Sequence, residues 1–78
     1  MYYLISILYI KVMIIFVHFQ GKKREVEIPE KAKVIDVVRR VGANPETVIV
    51  RRGRDILLEE EGVKENDELE LIRIISGG

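Results

Sequence analysis

The sequence predicts an α+β domain in which one helix covers one face of a mixed sheet of four or five strands. Two observations support this prediction. Short runs of β-branched and aromatic residues lie on both sides of the middle of the chain, and turn-forming clusters separate them. Between these runs, one apolar helical face is formed by the spacing of Val34, Val37, Val38 and Val41. The 78 residues suffice for a single domain with one core.

The first two strands are predicted from the segments before this helix. Residues 13–19 are apolar, β-branched and aromatic, which is typical of a buried strand. A turn-forming cluster at 20–23 ends that strand, and residues 25–28 then alternate charged and apolar side chains up to Pro29. We therefore expect the two segments to pair as a hairpin.

The remaining strands follow the helix. Gly42 stands where a left-handed residue commonly ends a helix, and Pro45 marks a turn. The later elements are a third strand at 47–52, a turn at 53–55, a short apolar step at 56–58 and a last strand at 68–75. The order β-β-α-β-(β)-β is the β-grasp arrangement, in which a single helix leaves the opposite face of the sheet uncovered.

The N-terminal segment is strongly apolar, with only Ser6 and Lys11 as non-apolar residues among the first 17. A transmembrane helix needs about 20 apolar residues, and a lysine within it is costly. We therefore expect residues 1–12 to be an extension that the domain does not need, with Met13 a possible natural start. The domain is expected over 13–75, a flexible tail over 76–78, and the protein in the cytoplasm, without a membrane partner.

Composition excludes several functions. The chain has no cysteine and a single histidine, His18, so neither a thiolate site nor a histidine metal site is expected. Thirteen basic and thirteen acidic residues cancel, so bulk charge does not predict a nucleic-acid partner. No pair of acid and base groups is placed for catalysis, and we expect the chain not to be an enzyme.

The C-terminal residues 66–78 resemble the end of the ThiS/MoaD sulfur carriers. In that family an acidic turn, here at 65–67, leads into an alternating strand that runs directly into a terminal Gly77-Gly78. The resemblance extends over 13–78 and includes the first hairpin turn and the helix that precedes Gly42. No proline follows Pro45, which makes the ending more similar to ThiS than to MoaD.

The resemblance implies that Gly78 is the working residue. A ThiF/MoeB-type or ubiquitin-activating-type enzyme would adenylate its carboxylate with ATP, so the chain itself would bind no cofactor and no metal. A persulfide would then give a thiocarboxylate, whose sulfur passes to an acceptor synthase for thiazole, molybdopterin or tRNA thiolation. Because Gly77 and Gly78 lack a Cβ atom, they can enter a narrow channel in the partner.

The uncovered sheet face is predicted to hold the docking surface. Alternation along the strands directs inward the side chains of Ile15, Val17, Phe19, Val48, Val50, Leu69 and Leu71. It leaves Phe16, Ile49 and Ile72 as an exposed apolar patch, which Ile74 extends toward the tail. Arg51 and Arg73 are expected beside this patch, in a group near the tail that also includes Arg52 and Arg54. The acidic residues between 59 and 70 either are solvated or steer the partner.

Two alternatives remain open at this point. The chain could be a ubiquitin-like modifier that is attached through Gly78 to lysines of target proteins, since that function uses the same fold and activation step. It could also be a β-grasp binding module resembling TGS domains, which needs no chemistry at the tail. In each case we expect a monomer when the chain is free.

Overall fold

The structure is a computed structural model that describes residues 11–74, and the predictions for 1–10 and 75–78 lie outside the described residues. Its elements are β1 (Val12–Phe19), β2 (Lys22–Pro29), α1 (Val34–Arg40), a 3₁₀ turn (Pro45–Thr47), β3 (Val48–Arg52), β4 (Asp55–Leu57) and β5 (Glu68–Arg73). No helix in this described part is long and apolar enough to cross a bilayer.

The five strands form one sheet in the order β2-β1-β5-β3-β4. β1 and β5 pair in parallel, whereas the other three neighbouring pairs are antiparallel. The predicted fold class is therefore confirmed: within residues 11–74, a mixed five-stranded sheet carries one helix on one face. β5, which leads to the C-terminus, lies in the centre of the sheet.

The first hairpin closes more tightly than the sequence predicts. Phe19 pairs with Lys22, which leaves only Gln20 and Gly21 in the turn, and both have positive φ angles of 53° and 76°. Such a two-residue turn matches the twist of the flanking strands. β2 consequently begins at Lys22 rather than at residue 25. The prediction missed these residues because three consecutive basic side chains give no apolar alternation.

The helix ends one residue earlier than predicted, at Arg40. The N–H of Gly42 donates to the Arg39 carbonyl at 3.0 Å, and that of Ala43 donates to the Val38 carbonyl at 3.0 Å. These two bonds are the Schellman arrangement, in which the residue after the cap adopts a left-handed conformation. Gly42 has a φ angle of +82° and fulfils that requirement.

The core lies between α1 and the covered face of the sheet. It is formed by Met13, Ile15 and Val17 of β1, Val34, Val37 and Val38 of α1, Leu69 and Leu71 of β5, and neighbouring apolar residues. Phe19 and Val48 are partly buried and pack against this cluster. The predicted inward faces of the first, third and last strands are confirmed.

The fourth strand is shifted by one residue from the predicted apolar step. β4 runs over Asp55–Leu57, and Arg52 pairs with Asp55 across a turn that contains Gly53. Leu57 is buried, whereas Ile56 and Leu58 are exposed. An apolar run of three residues does not show which members face inward, since only the pairing with β3 determines this.

Candidate functional site at the open sheet face and the tail base

The base of the C-terminal tail is held at one end of the sheet. β5 ends at Arg73, and the N–H of Ile74 donates to the Thr47 carbonyl at 2.7 Å. Ile74 itself is 43% exposed. The predicted site residues Gly77 and Gly78 follow this anchor closely in sequence but lie outside the described residues. Thr47 was missed as an anchor because its contact is made by backbone and depends on strand pairing.

An apolar pair lies beside this tail base on the uncovered face of the sheet, which we call the open face. Ile49 of β3 and Ile72 of β5 are directly paired across the two strands, and both are half-buried. Ile74 is the next residue of that alternating set. The structure thus brings together three of the four predicted apolar contact residues at the end where the tail leaves.

A charged belt crosses the open face next to this apolar pair. Arg51 of β3 is bonded to Glu70 of β5, and both side chains are partly exposed. On the neighbouring strands, the His18 Nε2 lies 3.0 Å from the Glu68 Oε1, and the Lys23 Nζ lies 3.7 Å from the same oxygen. Arg51 is therefore engaged by a carboxylate of its own chain.

Phe16 is separated from the other apolar residues by this belt. It pairs with Glu68, which lies two positions before Glu70 and four before Ile72 in β5. The Lys23 Nζ lies 5.1 Å from the centre of the Phe16 ring, a distance at which a cation interacts with an aromatic face. The single patch of Phe16, Ile49 and Ile72 expected from alternation is therefore corrected to two areas. The register of β1 against β5 causes this separation, and the alternation of side chains within each strand does not reveal that register.

The belt also perturbs the pKa of one carboxyl group. The hydrogen bond from His18, followed by the positive charge of Lys23, lowers the pKa of Glu68 below its usual value. Glu68 is therefore a carboxylate at neutral pH, and it contacts both His18 and Lys23 on the open face. The sequence identified His18 as an outward-facing residue, but it did not reveal these two partners.

The predicted grouping of arginines near the tail is wrong for Arg52. Its guanidinium contacts both Asp67 oxygens, with Nε–Oδ1 at 3.1 Å and Nη2–Oδ2 at 2.6 Å. Asp67 precedes β5, so this pair lies at the opposite end of the strand from Arg73. Arg54 follows Arg52 in the β3–β4 turn, also away from the tail. The antiparallel direction of β3 relative to β5 causes this separation.

The acidic run has a structural role at the start of α1. The N–H of Val34 donates to the Glu61 carbonyl at 2.8 Å, and that of Ile35 donates to the Glu59 carbonyl at 3.0 Å. These contacts satisfy backbone donors that the first turn of a helix leaves unpaired. The prediction treated this run only as solvated or steering charge.

Comparison with known proteins identifies the family. Residues 10–78, which include the tail, match the sequence model of the family described as the ThiS family. The chain belongs to the ThiS family. This confirms the resemblance predicted from residues 66–78, and it places Gly77 and Gly78 within the matched range.

Two relatives are similar over most of the chain. "Sulfur carrier protein TtuB" of Thermus thermophilus is 40% identical over 57 residues, which are 73% of this chain and 88% of that protein. An uncharacterized protein of Archaeoglobus fulgidus is 37% identical over 68 residues, or 87% of this chain and 98% of the relative. The aligned residues thus cover nearly the whole of each relative.

Among residues 11–74, no three His, Cys, Asp or Glu side chains are grouped as metal ligands. The open face presents paired charges and apolar side chains, which suit recognition of a protein surface. The apolar pair and the charged belt thus lie side by side on the open face, next to Ile74.

Proposed function

We propose that this ThiS-family chain is a sulfur carrier and that the carboxylate of Gly78 carries the sulfur. The observation that supports this most is the match over residues 10–78, because it extends to the terminal Gly77-Gly78. The relative named as a sulfur carrier, at 40% identity, supports the same class of function. Ile75, Ser76, Gly77 and Gly78 follow the tail base at Ile74.

The chemistry requires the carboxylate to be activated, since an ionised carboxylate is a poor electrophile. A ThiF/MoeB-type adenylyltransferase would join a Gly78 oxygen to the α-phosphorus of ATP and release pyrophosphate. A persulfide sulfur would then attack the Gly78 carbonyl and displace AMP, forming an acyl disulfide. A second thiol would cleave the S–S bond, which leaves a thiocarboxylate on Gly78 and a disulfide on the donor. The chain is thus a substrate of the adenylyltransferase. We place the chain in the cytoplasm.

The apolar area at the tail base would form the main docking contact. Ile49, Ile72 and Ile74 lie beside the point where the tail leaves, so a partner that holds the tail also reaches them. Arg51 lies in the charged belt at the edge of this area. Arg73, expected beside the same patch, instead points to the helix-covered face, because it alternates with Ile72 along β5. Phe16 is a separate contact, reached only by a partner that spans the belt.

Deletion of Gly77 and Gly78 tests this proposal. We expect the truncated chain to keep its fold, because the core of the described part is already complete between β1 and β5. It should nevertheless support no ATP–pyrophosphate exchange with the adenylyltransferase of the same organism. Circular dichroism and thermal melting of both proteins supply the control. Exchange at the full-length rate by a truncated, folded chain would refute the role of Gly78.

A further inference from the structure

A second feature of the tail base lies on the helix side of the sheet. A cavity of about 510 Å³ opens between the β1–β2 turn, the end of α1 and the end of β5. Three basic residues line it: Lys22 and Arg24 from β2 and Arg73 from β5. Lys22 and Arg24 are distant in sequence from Arg73, so folding brings three positively charged side chains together.

These three cations differ from the arginines elsewhere in the sheet. Arg51 and Arg52 are each paired with a carboxylate, whereas none of the three cavity cations forms an ion pair within residues 11–74. The only hydrogen bond of their side chains in this range joins the Arg24 Nη1 to the Val41 carbonyl at 3.4 Å. Like charges lining one concave surface concentrate the field there and attract an anion.

The position of the cavity identifies what would cover it. Arg73 directly precedes Ile74, and Thr47, whose carbonyl accepts the Ile74 N–H, also lines the cavity. Arg73 alternates with Ile72 along β5, so the cavity and the apolar area lie on opposite faces of the sheet. A protein that holds the tail therefore meets the apolar area on one side and the basic cavity on the other.

We propose that this cavity is an anion-binding docking point that receives Asp or Glu side chains of the activating partner. The inference rests on the proposed function, and it adds Lys22 and Arg24 to the docking surface. An acidic protein segment fits better than nucleic acid, because the cavity has a single aromatic residue, the partly buried Phe19, whereas single strands are bound on successive aromatic side chains. Complementary charge at such a site raises the association rate and fixes the orientation of the partner.

A double charge reversal tests the proposal in the full-length chain. Lys22→Glu with Arg24→Glu should raise the KM of the chain in pyrophosphate exchange by about tenfold or more, with kcat nearly unchanged. The salt dependence of KM should also become weaker than that of the unmodified chain. A matched control is Lys11→Glu with Lys64→Glu, which changes the net charge equally. These two lysines line a cavity at the opposite end of the sheet, which Glu30 and Glu65 also line.

The possible results separate this inference from the proposed function. A KM for Lys22→Glu/Arg24→Glu equal to that of the control pair would overturn the cavity as a docking point and leave the proposed function intact. No exchange by the unmodified chain would overturn both. Because Arg24 also bonds to the end of α1, the single variant Lys22→Glu is measured beside the double variant. A rise in KM with this single change and an unchanged melting temperature supports docking, whereas a rise confined to a double variant that melts early contradicts it.

Discussion

Leu71 and Ile72 are neighbours in β5 that point to opposite faces of the sheet. Leu71 is 4% exposed and belongs to the core, whereas Ile72 is half-buried on the open face opposite Ile49. Substitutions at these two adjacent residues can therefore distinguish an effect on core packing from an effect on partner binding. The same chemical change at the two positions should have very different consequences.

Replacing each of these residues by glutamate makes that difference measurable. Leu71→Glu should destabilise the domain by about 4 kcal/mol or more, because it places an unpaired charge against α1. Ile72→Glu should cost about 1 kcal/mol or less and should instead raise the KM in pyrophosphate exchange. Thermal melts of both variants decide the first point, and exchange kinetics of Ile72→Glu decide the second. Equal losses of stability would show that Ile72 serves the core rather than the docking surface.

His18 and Lys23 give Glu68 a pH dependence with a defined sign. Since they lower the pKa of the folded carboxyl, Glu68 stabilises the fold above its usual pKa, and this contribution is lost as the pH falls through the lowered pKa. We expect His18→Gln to raise the pKa of Glu68 toward its usual value and Lys23→Gln to raise it less. Carbon-13 NMR titration of the Glu68 carboxyl measures both. An unchanged pKa in His18→Gln would exclude the histidine as the main cause.

At the scale of elements, α1 depends on its ends more than on intrinsic helix preference. Valine is a modest helix former, and four of the residues between 34 and 41 are valines. The helix is stabilised by docking its buried valines, by the loop carbonyls at its start and by the Schellman bonds at its end. Gly42 is the residue on which that last arrangement depends.

Two glycine substitutions isolate the conformational requirement at this end. An added Cβ meets no atom within 4 Å at either Gly42 or Gly62, so steric contact is absent in both cases. Of these two glycines, only Gly42 has a positive φ angle. Gly42→Ala should therefore lower the free energy of unfolding by about 1 kcal/mol. Gly62→Ala should change stability by no more than about 0.5 kcal/mol. Urea unfolding of the two variants gives the comparison, and equal midpoints would argue against the cap.

The sequence predicted these elements where a periodic pattern existed. The valine spacing of α1 and the alternation in β1 and β5 placed the core correctly, because burial on one face leaves a periodic trace. The first residues of β2 and the exact position of β4 were missed. Lys22, Lys23 and Arg24 lie on an edge strand where polar side chains remain solvated, and three residues are too few for a period.

The candidate site was predictable only in part, for a related reason. Alternation indicated correctly that Phe16, Ile49 and Ile72 point away from α1. It could not show that Phe16 pairs with Glu68 and is thereby separated from Ile72, because parallel register depends on how β1 meets β5. The basic cavity was missed for the same reason, since Lys22, Arg24 and Arg73 converge only after the strands have paired.

At the scale of the whole molecule, the fold places a tail at the end of its central strand. β5 is flanked by β1 and β3, which makes its end a firm base for the four residues that follow Ile74. The two faces of the sheet differ at this end, with apolar side chains on one and a basic cavity on the other. A partner that recognises both would receive the tail in a fixed direction.

Mass spectrometry of the intact protein purified from its native host tests the central claim most directly. We predict a population in which one oxygen of the Gly78 carboxylate is exchanged for sulfur, and we predict that an alkylating reagent labels this terminus although the chain has no cysteine. Digestion of the host proteome tests the alternative, in which the chain is attached to lysines of other proteins. A Gly78 terminus that never carries sulfur, together with Gly77-Gly78 remnants branched on lysines of other proteins, would show that the chain is a protein modifier and not a sulfur carrier.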